Sequence, residues 1–135
     1  MSARGRTLCG MTAFGGRYLR LNFGGRGSVV AAVEKPIFRH NGSMKVLGFH
    51  LLGRGVGVVL ADGRKKPSGC YLYKISLKSG IVINRWRYGF AADDFATADG
   101  KVFLVGPAGT VAVVNDRGKI IRRCPPPLLI SGVAR

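Results

Sequence analysis

Residues 101–116, KVFLVGPAGTVAVVND, contain two short apolar runs on either side of a turn with Pro and Gly. Valine-rich runs of this length, separated by Gly, Pro or Asp, are typical of β-strands joined by tight turns. Val102–Val105 and Val111–Val114 are apolar at successive positions, so both faces of each strand need cover. The stretch therefore predicts a β-hairpin inside a packed β-structure.

The same alternation of apolar runs and turns continues along the rest of the chain. No window of a dozen residues repeats apolar positions at helical spacing without a Gly interruption. Asp-Gly and Asn-Gly pairs separate several runs, and such pairs suit tight hairpins because both residues tolerate positive φ. The predicted strands are Arg17–Phe23, Ser28–Glu34, Lys45–Leu52, Val56–Ala61, Cys70–Leu77, Ile81–Tyr88, Phe95–Ala98, Lys101–Val105, Thr110–Asn115 and Lys119–Arg123.

Three segments share one pattern, a Gly followed by mostly apolar residues and an acid seven places on. They are Gly27–Glu34, Gly55–Asp62 and Gly109–Asp116. Gly16–Leu19 and Gly100–Leu104 precede the first and last of them, and each is interpreted as the preceding hairpin arm. Repeated hairpin units are typical of a propeller or a β-solenoid, although any Gly- and Val-rich β-protein also produces such matches.

Two stretches resemble blades of the quinoprotein-type (PQQ-repeat) β-propellers. They are Tyr71–Trp86 and Ala98–Asp116. In that family a strand ends in a polar residue, a turn ends in Gly, and the next strand carries a Trp. Trp86 fits this pattern, whereas the last unit, around Arg122, has no Trp. The resemblance covers residues 70–123 and implies blade topology only, because no residues match the family's cofactor site.

These patterns predict an all-β fold of antiparallel hairpin repeats. A chain of 135 residues supplies only about three blades, so we expect a partial, propeller-like arrangement. The alternative is a small closed β-barrel or sandwich. We expect a basic Gly-rich arm over residues 1–15, a single β domain over 16–124 and a Pro-rich tail over 125–135. An open arc would expose an apolar end face and a strand edge, so its native form would be docked against another subunit or RNA.

The chain is strongly basic along its whole length. It carries 22 Lys+Arg against 6 Asp+Glu, a net charge of +16 at pH 7, and its first acid is Glu34. A globular domain with this charge repels itself, and such charge usually persists because a polyanion neutralises it. We therefore expect nucleic acid as the partner, with an anionic membrane surface or no polyanion as the alternatives. No apolar run approaches the roughly 18 residues of a membrane-spanning helix.

Arginines interleaved with aromatic residues are the candidate RNA-binding groups. Arg fits phosphate with a planar fork, and an aromatic face stacks an unpaired base. Tyr18 shares a strand face with Arg20, so stacking and core packing both stay open for it. Trp86 is expected in the core, since on a regular strand it faces away from Arg85 and Arg87. The expected RNA-binding residues are Arg4, Arg6, Arg17, Tyr18, Arg20, Arg26, Arg54, Arg64, Lys65, Lys66, Arg85, Arg87, Arg122 and Arg123.

No residue pattern predicts an enzyme. Asp93 and Asp94 are adjacent, so on a strand they point to opposite faces and cannot flank one bond. His40 and His50 have no neighbouring nucleophile or acid pattern. The Gly-rich segment Gly53–Gly57 lacks the Lys-Ser/Thr of a phosphate loop and opens a strand. We predict no catalytic residues, no cofactor and no small-molecule substrate.

The cysteines indicate a reducing compartment. Cys9, Cys70 and Cys124 are far apart and form no C-x-x-C pair, so no disulfide framework is predicted. A zinc site made from them with His40 or His50 would lack local ligand spacing, so no metal site is predicted. We expect a cytoplasmic location. A mitochondrial one is the alternative, because the first twenty residues contain Arg and no acid.

Together these features predict a small basic RNA-binding structural protein of a ribonucleoprotein particle, ribosomal or ribosome-associated. Its expected partners are RNA, in particular rRNA, and neighbouring protein subunits, with no membrane. The alternative is a protein-interaction module whose β blades are completed by a partner subunit, with the charge incidental. Salt separates the two, because binding through phosphates weakens steeply with salt and apolar docking does not.

Overall fold

The computed structural model describes residues 6–12, 16–25, 27–37, 44–63, 69–106 and 109–125, and it is all-β and antiparallel over these ranges, as the sequence predicts. None of these residues lies in an α-helix, so no helix in them is long and apolar enough to cross a membrane. The strands are β1 (Arg6–Met11), β2 (Arg17–Phe23), β3 (Val29–Pro36), β4 (Met44–Gly53), β5 (Val56–Gly63), β6 (Gly69–Ser76), β7 (Val82–Tyr88), β8 (Asp94–Ala98), β9 (Lys101–Val105), β10 (Val111–Val114) and β11 (Ile120–Cys124).

The strands form three sheets of consecutive neighbours. The first sheet has the order β1-β2-β3, the middle sheet β4-β5-β6-β7 and the third sheet β11-β10-β9-β8. Every paired strand is antiparallel. Three separate sheets match the expected number of hairpin units, and they do not close into the small barrel that was the alternative.

The middle sheet lies between the other two, and its strand β5 shows why. Val58 and Leu60 pack toward the third sheet, while the alternate residues Val59 and Ala61 pack toward the first. All four are fully buried. Successive side chains of a strand point to opposite faces, so a strand that is apolar at every position needs cover on both sides. The composition of β5 therefore makes it the centre of a three-layer stack.

The two interfaces have separate cores. The core between the middle and third sheets consists of Val58, Leu60, Cys70, Leu72, Tyr88, Ala92, Phe95, Val102, Leu104, Ala112 and Val114. The core between the first and middle sheets consists of Tyr18, Ile37, Val59, Ala61, Tyr73 and Ile75. Trp86 is half-buried against the first of these cores, which confirms its predicted packing role.

One tyrosine crosses each interface to a turn of the neighbouring sheet. The Tyr18 hydroxyl donates to the Leu77 carbonyl at 2.6 Å, and the Tyr88 hydroxyl donates to the Gly118 carbonyl at 2.7 Å. Gly118 has φ +77°, and a Cβ there would clash with the Trp86 ring. Only Gly fits both the backbone and the ring at that turn.

The strand predictions hold with end shifts of one or two residues, and one strand is new. Residues 6–11, assigned from the sequence to the basic arm, form β1 and pair with β2.

The repeat segments occupy different places in their sheets. The hairpin arms that precede the first and last repeat segments are β2 and β9, and each is the second strand of its sheet in chain order. The middle repeat segment is β5, also a second strand, whereas the other two are third strands. The predicted tail from residue 126 lies outside the described residues.

Candidate nucleic-acid interface

The middle sheet carries two tyrosines and two arginines side by side on the face that it turns to the first sheet. Tyr71 lies directly opposite Arg87, and Tyr73 lies directly opposite Arg85, across the pair β6 and β7. Directly opposite residues in an antiparallel pair share a face, with Cβ atoms about 5 Å apart. β7 is an edge strand, so the register places both guanidinium groups at the margin of the sheet.

Both arginines lie close to one aromatic ring. The Arg85 guanidinium carbon is 5.6 Å from the centre of the Tyr71 ring, and that of Arg87 is 5.9 Å from it. The ring centres of Tyr71 and Tyr73 are 6.3 Å apart. Arg85 and Arg87 are exposed and Tyr71 is half-buried, while Tyr73 is only 3% exposed. The cluster therefore brings two positive charges over one half-buried ring.

A groove of about 440 Å³ adjoins this cluster. Ile37, which follows β3, lines it together with Tyr73, Val82 and Arg85. The first sheet has three strands against four in the middle sheet. The groove thus places apolar and aromatic side chains beside one exposed arginine, a combination that suits a chain of bases and phosphates.

Tyr73 stays neutral at physiological pH. Burial raises the pKa of its hydroxyl above the usual 10.0, and the charge of Arg85 and a hydrogen bond from it partly oppose that rise. Arg85 lies directly opposite this buried tyrosine, and its side chain is exposed to solvent.

Further cations lie on the first sheet beside the turn that joins β6 and β7. Arg20 Nη1 donates to the Lys78 carbonyl at 3.2 Å, so this arginine links the two sheets. The side chain of Lys35 lies against Gly80, close enough that a Cβ there would meet the Lys35 Cγ at 2.9 Å. These contacts place positive charge from both sheets around one turn.

The structure corrects the predicted role of Tyr18. It is fully buried, its hydroxyl is hydrogen-bonded to Leu77 and to the Cys9 sulfur, and burial raises its pKa. The ring packs 6.1 Å from that of Phe49, in the core between the first and middle sheets. A ring in this position cannot stack a base, because the face it shares with Arg20 points inward.

The other predicted residues are distributed over separate surfaces. Arg6 and Arg17 lie on the outer face of the first sheet, where Arg17 Nε forms an ion pair with Glu34 at 2.6 Å. Arg54 occupies the β4–β5 turn with φ +50°. Arg122 and Arg123 point to opposite faces of β11, and Arg123 lies 5.4 Å from the Phe90 ring. The residues outside the described ranges are Arg4, Arg26, Arg64, Lys65 and Lys66.

Tyr71 and Tyr73 were missed from the sequence, although a signal for them was there. The predicted turn Lys78–Gly80 fixes the register of the two strands that it joins. Counting outward from it pairs Tyr73 with Arg85 and Tyr71 with Arg87, which is the register observed. Neighbours along β7 alone do not show this cross-strand pairing.

The three cysteines are free, and within the described ranges no group of three His, Cys, Asp or Glu residues converges on a metal position. Cys70 is fully buried, and burial raises the pKa of its thiol to about 11, with a further contribution from Asp62. A thiol in this state is protonated and packs as a small apolar group.

No protein-family model and no curated protein matches the chain significantly. The resemblance of residues 70–123 to quinoprotein-type blades therefore stays a prediction. The geometry of the arginine–tyrosine cluster and the charge of the chain are what support a function.

Proposed function

We propose that this protein binds RNA as a structural component of a ribonucleoprotein particle such as the ribosome. The observation that carries the proposal is the cluster on β6 and β7, where Arg85 and Arg87 flank the half-buried Tyr71 ring beside an open groove. The net charge of +16 supports a polyanionic partner. A location in a reducing, cytoplasmic compartment belongs to the same proposal, supported by the absence of disulfides among the described cysteines.

The cluster would act on single-stranded RNA. The two guanidinium groups hold successive phosphates, and an unpaired base stacks on the exposed part of the Tyr71 ring. The binding is largely insensitive to base identity, because every base has a π-face and phosphates carry no sequence information. Such contacts suit a protein that fixes an RNA loop within a particle.

The test is equilibrium binding of a fluorescent single-stranded RNA, measured by anisotropy over a range of salt concentrations. The double variant Arg85→Ala/Arg87→Ala should reduce the slope of log affinity against log salt by about 1.4–1.8, at roughly 0.7–0.9 per phosphate contact. The matched control is Arg117→Ala/Lys119→Ala, which removes the same charge from the turn between β10 and β11. Equal slopes for the two double variants would contradict a specific role for the cluster.

Stacking is tested separately from charge. Tyr71→Ala leaves the net charge unchanged and should lower affinity about 5- to 150-fold, equivalent to about 1–3 kcal/mol for one stacked base. The salt slope should stay near that of the unmodified protein, because no phosphate contact is removed. A Tyr71→Ala affinity equal to that of the unmodified protein would exclude stacking at this ring.

A second candidate function is a protein-interaction module whose sheets are completed by a partner subunit. The observation that favours it is the apolar outer face of the first sheet, where Leu8 and Val29 are 59% and 53% exposed. The stacking of consecutive antiparallel sheets is in keeping with the blade topology that the quinoprotein resemblance implies. Association that persists at high salt would favour this candidate over RNA binding.

A further inference from the structure

The first sheet turns its more apolar face away from the rest of the molecule. Tyr18 of β2 points to the middle sheet, so its neighbours Leu19, Leu21 and Phe23 lie on the outer face, where each is half-buried. Cross-strand pairing adds Leu8 and Ala32, both exposed and both opposite Leu21. We call this surface the first end face.

The third sheet has a matching surface at the other end of the stack. Val102 and Leu104 of β9 point into the core, so Phe103 and Val105 lie on the outer face. Ala96 pairs with Phe103, and Val111 pairs with Val105, which extends the apolar row across three strands. We call this surface the second end face. A stack of sheets that ended at water would be expected to carry polar side chains at both ends.

We propose that the first end face of one copy of this chain binds the second end face of another copy, head to tail. The middle sheet already shows that sheets of this chain pack face to face on both sides, and the contact continues that stacking. Each copy carries one face of each kind, so a single type of contact covers both. Contacts of this kind close into rings or extend into filaments.

Charge favours the head-to-tail contact over a symmetrical one. The segment 6–37 contains five Lys or Arg and one acid, whereas the segment 93–125 contains five Lys or Arg and four acids. Two first end faces brought together would oppose two strongly positive sheets, which costs association energy. The head-to-tail contact instead sets the first sheet against a nearly neutral one, since the second end face carries Asp94 opposite Val105 and Arg122 opposite Val113. The partner subunit of the second candidate function would then be another copy of this chain, and this assignment does not depend on RNA binding.

The test places one lysine on the edge strand of each face, β3 for the first end face and β8 for the second. Ala32→Lys alters the first end face and Ala96→Lys alters the second, and both alanines are exposed, so neither change disturbs the core. Asn84→Lys is the control, because it adds the same charge at an exposed site of β7, away from both faces. Each full-length protein is treated with nuclease and studied by sedimentation velocity in high salt, with far-UV circular dichroism to confirm the fold.

Complementation decides the outcome. We expect the unmodified protein and Asn84→Lys to associate, and Ala32→Lys and Ala96→Lys to be monomers when alone. A mixture of these two variants should form a 1:1 heterodimer, because each supplies the face that the other lacks. A monomeric unmodified protein, association of either variant alone, or a mixture that stays monomeric would overturn the proposal. Because RNA is removed, none of these results bears on RNA binding.

Discussion

The two faces of the middle sheet differ in what covers them. Toward the third sheet, Leu60 and Leu72 are fully buried in a core in which four strands pack on four. Toward the first sheet, three strands face four, and Tyr71 with Arg85 reaches the surface beside a groove. The interface with the third sheet stabilises the fold. The interface with the first sheet combines a small core with an open, cationic margin. Adjacent residues of β6, Leu72 and Tyr71, belong to these two different interfaces.

The largest expected effect is a difference in the free energy of unfolding between variants at two neighbouring residues of β6. Leu72→Ala should lower the free energy of unfolding by about 2–5 kcal/mol, because it leaves a cavity in the larger core. Tyr71→Ala on the opposite face should cost about 1–2 kcal/mol, because its ring is only half-buried at the margin of the smaller core. Urea unfolding curves measure both. Similar losses for the two variants would show that the faces do not differ as described.

A second prediction concerns the turn that packs on Trp86. Gly118→Ala should lower the free energy of unfolding by about 2–4 kcal/mol, because it adds a clash with the ring to the strain of a positive φ. Gly100→Ala is the matched control, since Gly100 has φ +73° and nothing within 4 Å of a Cβ. It should cost only about 1–2 kcal/mol. Equal losses in thermal or urea unfolding would mean that the Trp86 contact contributes nothing.

A smaller effect compares the two tyrosines that bond to turns. Tyr18→Phe and Tyr88→Phe should each cost about 1–3 kcal/mol, because each leaves a turn carbonyl without its hydrogen bond. Amide hydrogen exchange should distinguish them. Tyr18→Phe should increase exchange in β1–β3, and Tyr88→Phe should increase it in β8–β11. Increased exchange across all three sheets in both variants would contradict separate interfaces.

The smallest effect is a pH dependence from Cys70. Its pKa is raised to about 11 in the folded protein from 9.0, so between these values the folded state binds more protons than the unfolded state. Stability is therefore present in full below pH 9 and falls as the pH rises, by less than about 1.4 kcal/mol per pH unit. Urea midpoints between pH 8 and 10 should fall less steeply in Cys70→Ala. Parallel pH profiles would contradict a buried thiol.

The order and extent of the strands could be predicted from the sequence because Gly- and Asp-containing turns separate apolar runs of strand length. The two-sided apolar pattern predicted cover on both faces of β9 and β10, but these strands lie in an outer sheet, and the strand covered on both faces is β5. β1 was missed because its Gly and Arg residues, Gly10 and Arg6, resemble those of a basic arm. Its strand conformation depends on pairing with β2, which its own sequence does not show. Tyr18 was misplaced for a related reason. The alternation of side chains along a strand places Tyr18 and Arg20 on one face, but it does not show which face points into the core.

The measurement that tests the central claim most directly is whether the native protein, extracted without nuclease, sediments with RNA. We predict that it moves in a large RNA-containing particle and shifts to a slower fraction when the extract is treated with nuclease. Arg85→Ala/Arg87→Ala should already be partly in the slower fraction before treatment, and Arg117→Ala/Lys119→Ala should not. A sedimentation profile that nuclease leaves unchanged would contradict RNA binding as the function of this protein.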